Sequence, residues 1–337
     1  MGCHAFINLR VDFPWMGSGA KDSPGNGITA LARSVSQRKQ KVVHLTHNDL
    51  DAVGGDALHR RKYGDVFTIW CSVSAFIPML EMLAALEGRG DTLSISDLGF
   101  QPGAAALVAR IKERGWRIEW RDHHRWQPDE VNKVAEEVDL LHLDTDTCAT
   151  GIIVQDLLPD DPVAGEIAAV VCDYDLWYHR DPRSRVLGQV VMEKEMREYV
   201  RDVLESGRIT DARIEEVYAE VVARMERDIH RSIGHARVVR GKYTIAFAPL
   251  YGFPSETAHA IRDTLGTDIE VVVSPGGRFS IRSVPPISHL IAREFGGGGH
   301  PHAAGGTFPF TLVDRILFLL LKYSRHFTQL VAVAKSL

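Results

Sequence analysis

The run from Phe295 to Gly305 reads Phe-Gly-Gly-Gly-Gly-His-Pro-His-Ala-Ala-Gly, four glycines followed by a histidine. Glycine admits positive φ and clears side chains from the approach path, so the amides of Gly297, Gly298 and Gly299 can form an anion-binding concavity with the His300 imidazole beside it. The plain alternative is a flexible loop. Upstream, Arg282 and Ser283 precede the stiff turn Val284-Pro285-Pro286. A guanidinium fixed there suits bidentate phosphate recognition, although a lone strand-end arginine serves equally as a surface salt-bridge residue. A second constellation comprises His47, Asp49, Asp51, Asp97, Asp122-His123-His124 and Asp173. Its oxygen and nitrogen donors, with no thiolate, suit divalent cations, Mn²⁺ in preference to Mg²⁺ because two histidines soften the set. Carboxylates gathered at three strand ends repel one another unless cations neutralise them, whereas His47-x-Asp49-x-Asp51 alone is also compatible with an Asx-rich helix cap. Two metals beside a phosphate cradle point to phosphoester hydrolysis.

Both constellations, in this order, resemble the DHH phosphoesterase family with its C-terminal DHHA1 domain, over about residues 41 to 308. The resemblance implies that His47, Asp49, Asp97 and Asp173 hold one metal and Asp51, Asp97, His123 and Asp173 the other. Asp97 and Asp173 would then bridge. His47 departs from the longer spacing of some relatives, which leaves His44 as its substitute, and Asp175 competes with Asp173. The resemblance places His123, His124 and Asp97 at the reaction centre. It leaves His124 either on the substrate phosphate or orienting His123. Arg282, Ser283, Gly297, Gly298, Gly299 and His300 would bind substrate on the DHHA1 side, with Ala303, Ala304 and Gly305 packing the loop on a helix. The implied reaction is two-metal water attack on short nucleotides, namely short oligoribonucleotides, bisphosphoadenosine, or linear or cyclic dinucleotides, releasing nucleoside 5′-monophosphates. An inorganic pyrophosphatase or exopolyphosphatase, and a noncatalytic nucleotide-binding regulator, are the alternatives.

Composition bounds these readings. The chain has 337 residues, 45% hydrophobic, which leads us to expect two domains. A net charge of −5 argues against long duplex nucleic acid as partner. Cys3, Cys71, Cys148 and Cys172 show no CxxC spacing and read as reduced thiols of a cytoplasmic protein. No apolar run reaches membrane-spanning length.

The elements that must position these residues follow from periodicity. Residues 1 to 40, rich in Gly and Ser, read as a flexible extension. Strands at 42–46, 66–71, 92–96 and 116–120 alternate with helices near 52–63, 77–86, 104–114 and 130–137, predicting an α/β parallel sheet with helices on both faces. Helices near 149–158 and 163–171 put Asp173 just past a helix end, and Asp144 and Asp146 read as caps of the earlier helix. The expected domains are a DHH catalytic domain over 41–188, a charged helical connector over 189–236, and a smaller mixed α/β DHHA1 domain over 237–337. That last domain has strands at 243–248, 269–274 and 279–283, and helices near 255–265 and 287–294. For the apolar tail from Leu312 to Val333, packing on the core and a homodimer contact are both open.

Overall fold

The computed structural model describes residues 24 to 337, in two compact units that divide between Tyr218 and Ala219. The first unit is built on five parallel strands: β1 (Val42–Thr46), β2 (Val66–Trp70), β3 (Thr92–Ser96), β4 (Arg117–Asp122) and β5 (Leu140–Leu143). Their order is β2-β1-β3-β4-β5. The chain runs outward from β1 to β2, then crosses back to β3 and continues the other way. Crossovers on either side of such a reversal diverge, leaving a crevice beyond the carboxyl ends of β1 and β3.

Strand alternation gives this sheet two different buried faces. Val43, Leu45, Leu93, Ile95, Ile118 and Trp120 point one way into an apolar core. That core includes residues of α1 (Pro24–Ser36), α3 (Phe76–Leu83) and α4 (Ala104–Glu113), with α5 (Pro128–Ala135) adding Val134. The residues between them, His44, Thr46, Ser94, Ser96, Glu119 and Arg121, are also buried, on the opposite face by the period of two. They face polar groups of α2 (Leu50–Tyr63): His44 meets Asp56 at 2.9 Å, and His59 meets Ser94 at 2.8 Å. A second apolar core lies around α2, α6 (Ala149–Leu157), α7 (Pro162–Asp175), α8 (Pro182–Val190) and α9 (Arg197–Glu205).

Several elements differ from expectation. Of residues 1 to 40, the first 23 lie outside the described residues, but 24–36 form α1, whose Leu31 and Val35 are buried in the first core. The Gly-rich sequence hid an amphipathic stretch. The supposed connector is partly core as well, since Val190, Val191, Met196, Val200, Val203 and Leu204 pack into the first unit. Strand β5 had no counterpart in the sequence reading, because Leu-Leu-His-Leu carries no β-branched residue. Cys148 and Cys172 are joined in a disulfide, not reduced, while Cys71 is free and buried. Packing of α6 against α7 brings the two cysteines together, which a spacing of 24 residues does not reveal.

The second unit carries a six-stranded mixed sheet in the order β10-β11-β9-β8-β7-β6. Its strands are β6 (Arg237–Val239), β7 (Ile245–Pro249), β8 (Ile269–Val273), β9 (Arg278–Ser283), β10 (Gly298–Gly299) and β11 (Ala303–Thr307). Only β7 and β8 pair in parallel. The long α10 (Ala212–Gly234) spans the division between the units; α11 (Pro254–Leu265) and α12 (Ser288–Arg293) belong to the second. The tail forms two helices, α13 (Leu312–Leu321) and α14 (His326–Ser336). Phe318, Phe327 and Leu330 are in the core, whereas Leu312, Val313 and Leu320 are exposed. Among the described residues no helix is long and apolar enough to cross a membrane.

Candidate metal centre and phosphate-facing residues

The strand ends of the first unit deliver their polar residues to the crevice. His47 follows β1, Asp97 follows β3, and His123 and His124 follow β4, while Asp49 caps α2 and Asp51 sits in its first turn. His47 Nδ1 lies 2.7 Å from Asp49 Oδ2 and 3.7 Å from Asp97 Oδ2. His123 Nε2 lies 3.4 Å from Asp97 Oδ1, 3.6 Å from Asp175 Oδ2 and 3.9 Å from Asp51 Oδ2. Two donor groups result, His47 with Asp49 and Asp97, and Asp51 with His123 and Asp175; Asp97 also groups with His123 and His124.

Several of these groups lack internal compensation. Asp97 Oδ2 and Asp175 Oδ2 are buried without a hydrogen-bond partner. Burial, and then the charges of Asp49 and Asp51, push the Asp97 carboxyl well above the usual range. Burial, followed by Asp51 and Asp49, pushes Asp175 up to about 8. Burial likewise raises Asp51. For Asp49 burial acts upward too, but the His47 hydrogen bond and charge outweigh it and the carboxyl is lowered. Asp97 also holds a left-handed backbone (φ 55), uncommon for a residue other than glycine. A buried set of oxygen and imidazole nitrogen donors with orphaned carboxylate oxygens fits a divalent cation.

The neighbouring residues sort into supports. His44 is not the substitute ligand: it is fully buried, with Nδ1 on Asp56 and Nε2 on Ser96 Oγ. Asp51 is fixed by the amides of Ala149 and Thr150, each donating at 2.7 Å. It thereby takes up the orphan donors at the start of α6, a role the sequence suggested for Asp144 and Asp146. Asp144 instead accepts from the Asp146 amide in the preceding turn. Asp122 is fully buried and accepts from Trp126 Nε1, and it pairs with His124 Nδ1 at 2.7 Å. That hydrogen bond raises the His124 pKa.

Asp173 requires correction. The helix α7 runs further than its apolar pattern suggested, ending at Asp175. Asp175 joins the donor group, while Asp173 accepts from the amides of Arg180 and Asp181 and from Ser184 Oγ. Although burial raises its carboxyl, these donors outweigh burial and lower it. Residues two apart on a helix face different directions, about 200° around the axis, so only one of the pair can point at the cluster.

In the second unit Arg282 lies on β9, donating to Ser255 Oγ at 2.7 Å and to the Ile281 carbonyl. Burial lowers its pKa, with Glu256 opposing. Ser283 is turned inward, donating to the Pro285 carbonyl at 2.6 Å and meeting Ser288 Oγ at 2.7 Å. The glycine segment is a hairpin. Gly298 pairs with Gly305 and Gly299 with Ala304, and β11 pairs in turn with β9, setting Ala303 opposite Arg282. The amides of Gly297 and His300 donate to Ala292 and Ala303 carbonyls, so they do not belong to a concavity of free donors. Gly297 is required by a close approach, since a Cβ there would lie 1.9 Å from the Gly305 carbonyl oxygen. Ala303, Ala304 and Gly305 lie in β11, which packs against α12 as well as pairing with β9. His300 is exposed at the hairpin turn.

No family model and no curated protein sequence matches the chain. Solved structures do. The DHH domain of a member of a family of ribosomal proteins aligns at a TM-score of 0.58 and 16% identity, covering 89% of this chain and 90% of its own. A pGpG-specific phosphodiesterase from Vibrio cholerae aligns at 0.52 and 12% identity, covering 86% and 99%. Thermus thermophilus RecJ in complex with Mn²⁺ aligns at 0.51 and 16% identity, covering 91% of this chain and 54% of RecJ. The fold is that of the DHH-domain proteins.

Proposed function

We propose that the chain is a metal-dependent phosphoesterase that hydrolyses short nucleotide substrates to nucleoside 5′-monophosphates. The observation that carries this reading is the clustering of His/Asp donor groups at the strand-order reversal, linked through Asp97 and His123, with buried carboxylate oxygens that have no hydrogen-bond partner. His47, Asp49 and Asp97 would hold one divalent cation, and Asp51, His123 and Asp175 the other. Bound there, such ions would lower the pKa of water and neutralise phosphoryl charge. Hydrolysis adds water across the P–O bond, the phosphorus gaining hydroxyl and the departing oxygen a proton.

The chain's own groups supply orientation and protons. His124, held at Nδ1 by Asp122, offers Nε2 to a phosphoryl or departing oxygen. Asp51, fixed by two α6 amides, keeps its carboxylate in place during turnover. In the second unit Arg282, with Ser255 fixing one end of its fork, is a candidate phosphate-binding group, and His300 is exposed at the turn of the hairpin. The hydroxyl of Ser283 and the amide of Gly297 are given scaffold roles. Support for nucleotides comes from the fold shared with a pGpG-specific phosphodiesterase and with an exonuclease.

The test is a Mn²⁺-supplemented hydrolysis panel: a dinucleotide, a pentanucleotide, cyclic dinucleotides, bisphosphoadenosine, pyrophosphate and polyphosphate. Turnover of a nucleotide, abolished by chelation and restored by Mn²⁺, is expected. Turnover of pyrophosphate or polyphosphate alone would replace this reading with a pyrophosphatase or exopolyphosphatase, and metal binding without turnover of any member would favour a nucleotide-binding regulator.

A further inference from the structure

We propose that Trp177 and Tyr178 form a stacking platform for a substrate nucleobase beside the candidate metal centre. This rests on the nucleotide reading above and assigns it a base subsite in the first unit.

At the end of α7 the Trp177 amide donates to the Tyr174 carbonyl at 3.0 Å and the Tyr178 amide to the Asp173 carbonyl at 2.9 Å, the two hydrogen bonds of a Schellman helix stop. In that motif the residue at the left-handed position is usually glycine. Here it is Trp177, with φ 60, and His179 two residues later is also left-handed, with φ 51. Glycine would occupy either position without steric cost. A bulky side chain retained in a strained position points to a use for that side chain, because the surrounding structure must hold it there.

The holding is visible. The Asp173 carboxylate, itself buried, accepts from the amides of Arg180 and Asp181 and from Ser184 Oγ, so the loop is wound around one anion. Trp177 packs edge-on against His179, ring centroids 4.3 Å apart, and the Arg180 guanidinium lies 5.0 Å from the centre of the Tyr178 ring. Despite this bracing, Trp177 remains 43% exposed and Tyr178 53%. Loops that serve only to connect rarely fix two adjacent large aromatics at the surface, because exposed apolar area contributes nothing to folding.

Position then identifies the ligand. Trp177 is two residues from Asp175, so their α-carbons are within roughly 7 Å by chain geometry. A ring carried on a loop that leaves the candidate centre directly after Asp175 is within side-chain reach of the base of a nucleotide bound there. Every base offers a π face, and aromatic rings with an adjoining guanidinium take such faces without demanding one sequence. The loop around the Asp173 carboxylate therefore explains a residue that motif reading would assign to the metal.

The experiment uses the full chain loaded with Mn²⁺ and compares a dinucleotide with an analogue lacking the base at the hydrolysed nucleotide and another lacking the base at its neighbour. Wild type should prefer the dinucleotide over at least one analogue. Trp177→Ala is expected to lower kcat/KM for the dinucleotide about tenfold, chiefly through KM, as loss of one stacked base does. It should leave turnover of the discriminated analogue and the bound Mn²⁺ content unchanged. Trp177→Phe should restore most of the loss, and Tyr178→Ala should give a smaller effect of the same kind. Unchanged dinucleotide kinetics in both alanine variants would overturn the platform while leaving the proposed activity standing, as would equal losses on all three substrates. Failure of wild type to hydrolyse any of them would remove the nucleotide reading, and the platform with it.

Discussion

The polar groups of the first unit's crevice and those around Arg282 in the second unit were matched by equally specific sequence motifs, yet they have opposite internal lives. In the crevice, Asp97 and Asp175 each keep a buried oxygen without a hydrogen-bond partner, and their carboxyls are pushed upward. Around Arg282, the Ser283 hydroxyl, the Gly297 and His300 amides and the Arg282 fork all find partners within their own unit. A buried polar group left unpaired costs free energy, and a cation held by the neighbouring imidazoles and carboxylates would compensate these two. A paired group is explained by folding alone. The difference supports placing the proposed chemistry in the crevice, with the hairpin chiefly a scaffold for Arg282 and His300.

The two aspartates of α7 put that contrast to its most severe test. Asp175→Asn should abolish turnover, by about three orders of magnitude or more if the variant loses one ion of a two-metal site. Asp173→Asn should keep metal binding and cost about 1–3 kcal/mol of stability by opposing an amide NH₂ to the donors around it. Calorimetric Mn²⁺ titration and thermal melts of both variants decide the matter. Metal loss in Asp173→Asn with normal binding in Asp175→Asn would reverse the assignment on α7.

A second outcome concerns pH. Because the Asp175 carboxyl is raised to about 8 in the fold, the metal-free native state retains a proton that the unfolded chain gives up above about pH 4. Metal-free stability should therefore fall as pH rises from about 4 through about 8, and Mn²⁺ should remove that slope by taking the proton's place. Chemical denaturation in mildly acidic and mildly alkaline buffer, with and without Mn²⁺, measures it. A metal-free protein equally stable in both would mean that the crevice carboxylates are compensated after all.

More modest changes are expected on the second unit's side. Arg282→Lys keeps the charge and loses the planar fork, so kcat/KM for a dinucleotide should fall about tenfold with metal content intact. Ser283→Ala should do least, about 1 kcal/mol in stability with KM unchanged. A KM effect for Ser283→Ala in steady-state assays would show its hydroxyl turning to substrate.

Much of this was legible in the sequence. The β-branched runs that became β1 to β4 and the donors at their ends were readable because alternate residues such as Val43, Leu45, Leu93 and Ile95 are apolar where they enter the first core. What escaped notice escaped for physical reasons. The second buried face of the sheet is polar, and His44 or Arg121 in a strand cannot be told from a surface residue until α2 and Asp156 are seen against them. The end of α7 was misplaced because Cys172, Asp173 and Tyr174 break the apolar pattern while the helix continues. The glycines were read as a nest of donors because local sequence gives φ freedom without giving partners, and the partner strand follows only after the turn at His300. The disulfide and the Asp51 contact to α6 join residues 24 and about a hundred positions apart, beyond any local pattern.

That contact between Asp51 and the first amides of α6 bears on how the molecule comes to exist. A parallel sheet with interleaved crossovers forms late, since its strands lose loop-closure entropy before pairing offsets it. Here one carboxylate sits at the meeting of both events: α6 has its first amides satisfied only when α2 has docked, and the ion-binding group has Asp51 in place only when α6 has. Cation uptake should therefore follow a single cooperative step and not accompany collapse, so that in a refolding time course bound Mn²⁺ would appear together with the last-formed native signal and serve as a clock for completion of the first unit.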